Sequence, residues 1–171
     1  MQNNTINRLY AWAESRGILA NSTGAAQFKK TREEFREFWY ELYRPEETLS
    51  NLAQRLELAR LELADVAVTL LIQLFLDDAD GVIIPEPDED EAAVFTTDDT
   101  VIGLSIILKG LGHCYDRHED PTAWLRMALR KCANIAHYVL KSDLRSCLDL
   151  KLEILESRSG RMVDGIFVKD N

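Results

Sequence analysis

The stretch LELADVAVTLLIQLFL, residues 61–76, constrains this fold more than any other part of the chain. Its only polar side chains are Glu62, Asp65, Thr69 and Gln73. Spacings of three, four and four place them on one stripe of a helix that turns about 100° per residue. A helix apolar on its other faces is a buried helix. No Lys or Arg lies within the run, and an unpaired buried carboxylate is costly. Something cationic must therefore face Glu62 and Asp65. It is a Lys or Arg from another helix, or a bound metal.

The rest of the chain also reads as helical. Helices are expected over Ile6–Arg16, ending at Gly17, over Gly24–Tyr43, broken by Pro45, and between about Glu46 and Leu76. Residues 77–97 form an acidic loop or linker with two prolines and a glycine. Two further helices fill 98–141. The first is capped by Thr97, and the second has Asp120 as N-cap and Pro121 in its first turn. A last helix begins near Ser142 and ends before Gly160, and Ile166–Val168 forms a small strand or docks on a partner subunit. The fold class is all-α, in one domain over residues 1–171.

Composition excludes several functions. The net charge is −9, with 29 acidic residues against 20 basic, which argues against binding duplex nucleic acid by charge. The apolar run at 61–76 is shorter than the ~20 residues that span a bilayer, and MQNNTINRLY carries no signal-peptide pattern. Cys114, Cys132 and Cys147 are widely spaced and read as reduced thiols of a cytoplasmic protein.

On the helix at 24–43, Phe28, Thr31, Phe35, Phe38 and Leu42 form the core stripe. Gln27, Lys30, Glu34, Glu37 and Glu41 share one flank of it, whereas Glu33 lies further round. Alone, Glu34 and Glu37 fit a solvated face. Beside Glu62 and Asp65 they complete a four-carboxylate site for a hard divalent cation. A simple hairpin broken at Pro45 leaves the two pairs out of step by about 10 Å. The site therefore requires the next helix to restart near Ser50, or residues 45–50 to form a longer connection. An uninterrupted helix from Glu46 would count against it.

Gln27-x-x-Lys30-x-x-Glu33-Glu34-x-x-Glu37, followed by Glu62-x-x-Asp65, resembles the signature of MazG-like nucleotide pyrophosphohydrolases, in the all-α NTP pyrophosphatase group. Trp12 with Arg16-Gly17-Ile18, and the tail from Lys151 through Arg158, Gly160, Arg161, Gly165, Phe167 and Lys169, are similar to that family. The resemblance covers residues 8–76 and 143–170 and leaves out 77–142. It implies a four-helix core, a homodimer or homotetramer, and Mg²⁺ (or Mn²⁺) at Glu34, Glu37, Glu62 and Asp65. It implies cleavage of a nucleoside triphosphate between its α and β phosphates. Catalysis then falls to Lys30, Glu33, Glu34 and Glu37, and substrate contacts fall to Gln27, Lys151, Arg158 and Lys169. The alternative is a non-catalytic helical module that binds a nucleotide or protein on the same fold.

Other candidates carry less. His113, Cys114, Asp116 and His118 match no good zinc spacing. His137 reads as a hydrogen-bonded core residue. Trp12, Phe38 and Trp39 can stack on a base but fit core packing better. No Walker-type loop or Ser-His-Asp signature occurs.

Overall fold

In the computed structural model the apolar run lies in a central 25-residue helix, α4 (Leu52–Leu76). The model describes residues 3–44, 52–77, 81–89, 96–158, 160–163 and 166–169. Before α4 come α1 (Asn3–Ser15), the short α2 (Ile18–Asn21) and α3 (Gly24–Tyr43). After it come α5 (Thr97–Asp116), α6 (Thr122–Asn134), a π-helical turn over Ile135–Val139, and α7 (Leu144–Ser157). The strands β1 (Gly160–Val163) and β2 (Ile166–Lys169) pair antiparallel, with Gly160 opposite Lys169. The architecture is all-α, with this hairpin behind it.

α4 packs on α1, α3, α6 and α7, so its apolar faces meet neighbours on several sides. Leu63, Ala67, Leu70, Leu71 and Leu74 are at most 1% exposed. Fully burying a leucine contributes roughly 1.5–3 kcal/mol. α5 and α6 are part of the same core: Leu104, Leu111, Leu125 and Leu129 join the cluster built from α1, α3, α4 and α7.

Local chemistry sets the helix ends. The Thr23 hydroxyl accepts from the Ala26 N–H and caps α3. Thr96, not Thr97, caps α5, in a capping box with Asp99. Thr97 occupies the first helical position instead. Asp120 accepts from the Thr122 N–H at 2.9 Å, ahead of α6. Asp143 accepts from the Ser146 N–H and starts α7.

Two expectations change in the middle of the chain. Residues 81–89 are irregular as expected, yet they are docked rather than a free linker. Ile84 is 3% exposed, and the Asp88 backbone is held by Asn134 and Tyr138. The π-helical turn is closed by Leu140 N–H donating to Ile135 O at 3.0 Å. His137 is exposed, with its ring edge-on to Tyr138, instead of lying in the core.

Candidate metal centre

α3 and α4 run antiparallel and bring their polar positions face to face. Glu34 lies nine residues before the end of α3, and Glu62 ten residues after the start of α4. The two are therefore nearly level. The expected restart near Ser50, the longer connection expected at 45–50 and the question of a helix running on from Glu46 lie outside the described residues, which resume at Leu52 in α4.

The polar stripe of α4 has two halves. At one end, Thr69 and Gln73 belong to a neutral buried relay. Tyr115 of α5 donates to Gln73 Oε1 at 2.9 Å. Gln73 Nε2 donates to the Thr31 hydroxyl, which donates to Thr69 Oγ1, each at 2.8 Å. Thr69 donates to Val66 O at 2.8 Å. Every polar atom in this chain of bonds finds a partner, as burial requires. The relay fixes α3 on α4 one turn from the carboxylates.

At the other end, carboxylate oxygens of Glu34, Glu62 and Asp65 lie within 4.8 Å of one another. Three cations from two helices, α3 and α7, stand around them. Lys30 of α3 pairs with Glu34 at 2.8 Å and with Glu33 at 3.5 Å. Lys151 of α7 is 6% exposed and pairs directly with Asp65. Arg158, the C-cap of α7, also acts on the Asp65 charge. α1 holds that end of α7 in place. The Trp12 indole N–H donates to Leu155 O at 3.2 Å, Arg16 donates to the Arg158 carbonyl, and Arg8 pairs with Glu156 at 2.9 Å. At the other end of α7, Arg60 of α4 donates from Nε and Nη2 to Leu140 O, at 3.0 and 2.6 Å.

The two lysines leave the site short of positive charge. Burial, with the neighbouring Asp65 charge, pushes Glu62 up to about 7, against the opposing effect of Lys151; Glu37 and Glu34 raise it further. Burial raises Asp65 as well, although the Lys151 ammonium opposes it. Burial alone would lower Lys30, but its hydrogen bond to Glu34 and the charges of Glu34, Glu33 and Glu37 hold it above its ordinary value. Glu62 Oε2 is buried and has no hydrogen-bond partner among the described residues. An oxygen so placed calls for a proton, a hydrogen-bond donor or a cation. Carboxylates are the ligands that hard divalent ions prefer, and two oxygens opposed across Mg²⁺ stand about 4.2 Å apart. The three carboxylates are placed so that they could hold a metal ion.

The other expected site residues fall at different distances from this triad. Glu37, expected as a fourth ligand, stands outside it and lines an adjoining cleft of about 530 Å³ with Glu33, Arg36, Tyr40, Glu41 and Glu62. Gln27 donates to Ser22 Oγ at 2.9 Å, near the start of α3. Lys169 lies on β2, and its side chain is outside the described residues. Trp12 and Phe38 pack in the core, while Trp39 is partly exposed and stacks near Phe35 and Tyr43. The role of Tyr115 leaves no mark in the sequence, because its partner Gln73 is 42 residues away.

Comparison with protein-family models, with curated proteins and with solved structures finds no match to this chain. No described helix is long and apolar enough to cross a membrane.

Proposed function

We propose that this protein is a Mg²⁺-dependent nucleoside triphosphate pyrophosphohydrolase with a MazG-like core formed by α1, α3, α4 and α7. The observation that carries the reading is the triad Glu34, Glu62 and Asp65, with Glu62 Oε2 buried and without a hydrogen-bond partner among the described residues. These three carboxylates would hold Mg²⁺, or Mn²⁺ in its place. A bound ion of this kind neutralises a triphosphate and acidifies a water. Glu37 and Glu33 line the cleft beside Glu62, where a carboxylate can accept a proton from a nucleophilic water. Lys30, Lys151 and Arg158 surround the triad with charges able to stabilise a leaving pyrophosphate. The products are a nucleoside monophosphate and pyrophosphate. The assembly is a homodimer or homotetramer in a cytoplasmic setting, with the hairpin reaching a neighbouring copy.

The test is pyrophosphate release from a panel of NTPs and dNTPs with Mg²⁺. Release that is lost in Glu62→Ala and Asp65→Ala, with the fold intact, supports the reading. Well-folded protein that releases none from any nucleotide overturns it.

The Lys151–Asp65 and Lys30–Glu34 pairs favour a second reading, a non-catalytic helical module whose carboxylates are already countered by lysines. In that case Mg²⁺ gives no calorimetric binding, even with a nucleotide analogue present.

A further inference from the structure

α5 supplies none of the three carboxylates, yet it lies along α3 and holds it near both ends. At one end the Tyr43 hydroxyl donates to Asp98 Oδ1 at 2.7 Å. At the other, the Tyr115 ring packs on Phe28, with centroids 5.5 Å apart, and comes close to Gly24. Gly112 meets the same Phe28, where an added Cβ would stand 3.1 Å from the ring. Asp98 to Tyr115 spans about 26 Å of helix, and Gly24 to Tyr43 about 28 Å. The two helices are therefore antiparallel and matched in length, and Glu34 lies between the two holds.

The hold at Tyr115 is polar as well as apolar. Its hydroxyl donates to Gln73 Oε1, and Gln73 is fully buried. Gln73 Nε2 is engaged twice, by Thr31 Oγ1 at 2.8 Å and by Thr69 O at 3.0 Å. The Tyr115 proton thus sets which end of the amide faces α3. With the Gln73 N–H on one side of its oxygen, the Thr31 hydroxyl points its own proton at Thr69 of α4. Thr31 has a rival acceptor within α3, Gln27 O at 3.0 Å, so the bond between the helices is not assured by proximity alone. Both ends of the relay stand next to the triad. Thr31 is one turn before Glu34, and the last acceptor, Val66 O, belongs to the residue after Asp65. Without the Tyr115 hydroxyl the buried Gln73 Oε1 loses its donor. An amide that turns to recover one takes the Thr31 proton, and the bond from Thr31 to Thr69 is given up.

We propose that Tyr115 is a positioning residue for the carboxylate triad: through Gln73, Thr31 and the Phe28 contact, α5 holds α3 at the register that brings Glu34 to Glu62 and Asp65. The proposal rests on the metal reading of that triad. Mg²⁺ demands near-ideal placement of its ligands, so a small displacement of Glu34 weakens binding. Groups that orient a ligand without touching the metal typically change affinity by ~10–100-fold. α5 belongs to residues 77–142, which the MazG-like resemblance leaves out, and the proposal gives that segment a part in the metal centre.

The test is calorimetry with Mn²⁺ alone and with Mg²⁺ alone, on the full chain, well below its melting temperature and with no nucleotide present. Tyr115→Phe and Thr31→Val are each expected to weaken the affinity about tenfold or more. Thr31→Ser loses a buried methyl but keeps the hydroxyl, so it lowers the melting temperature and leaves the affinity unchanged. That variant separates lost stability from lost positioning. If Tyr115→Phe does not fold, Thr31→Val decides. A Tyr115→Phe protein that melts earlier but binds both ions as the wild type does overturns the proposal alone. So does a Thr31→Ser protein that weakens binding as much as Thr31→Val. Wild-type protein that binds neither ion overturns the metal reading and the proposal together. Because no nucleotide is present, none of these outcomes depends on hydrolysis.

Discussion

Lys151 of α7 places its ammonium directly on the Asp65 carboxylate of α4, and both groups are largely buried. The pair joins residues 86 positions apart and sets the charge of the whole triad. Removing one partner of a buried pair leaves the other uncompensated. Lys151→Met is therefore expected to lower stability by about 3 kcal/mol in EDTA. Saturating Mg²⁺ should restore part of that loss. Urea unfolding with and without Mg²⁺ measures both.

Glu62 gives a pH signature. Its folded value, about 7, is above the unfolded value of 4.5. Its contribution to stability is thus fully present below pH 4.5 and is lost as pH rises through 7. Metal-free protein should lose melting temperature between pH 5 and pH 8, and Glu62→Gln should lose less over the same interval. Identical pH profiles would show that Glu62 is not the group responsible.

Metal binding to Glu62 competes with its proton. The apparent Mg²⁺ affinity should rise between pH 6 and pH 8, with proton release near pH 7. Calorimetry in buffers of different ionisation enthalpy counts those protons. Glu34→Gln and Asp65→Asn should each abolish the Mg²⁺-induced rise in melting temperature. Glu37→Gln should keep most of it, because Glu37 stands outside the triad.

Gly24 lies where α3 meets Tyr115. An added Cβ would stand 2.8 Å from the Tyr115 hydroxyl oxygen. Gly24→Ala must push away the hydroxyl that serves Gln73, at a cost of roughly 1–3 kcal/mol. Tyr115→Phe removes the nearest of the atoms in conflict and leaves the ring carbons Cε1 and Cζ, at 3.0 and 3.2 Å. The double mutant should be more stable than the sum of the single effects predicts. A double-mutant cycle on urea unfolding gives the coupling directly.

Much of this could be read before any coordinates. The α4 stripe of Glu62, Asp65, Thr69 and Gln73 and the core face of Phe28, Thr31 and Phe38 follow from local periodicity; the start of α6 is displaced by one residue, with Pro121 rather than Asp120 as N-cap and Thr122 the first helical residue. Those signals act within one or two helical turns, so a sequence carries them intact. Even the demand for a cation opposite Glu62 and Asp65 followed from the absence of Lys and Arg in the run. Thr96 in place of Thr97 is a shift of one residue, within the ordinary uncertainty of helix ends.

Only the tertiary structure chose the partners. Lys151 became the counter-ion of Asp65, Glu34 rather than Glu37 completed the triad, and α5 and α6 entered the common core. A π-helical turn over Ile135–Val139 follows α6, and His137 within it is exposed. A helix fixes which face a side chain occupies, but the crossing of two helices fixes what that face meets. Such crossings depend on packing between segments far apart in the chain. The sequence by itself therefore determined that two acidic positions on α4 would need positive charge. The packing of α7 on α4 decided that Lys151 supplies part of it, at Asp65, and leaves Glu62 Oε2 without a hydrogen-bond partner among the described residues.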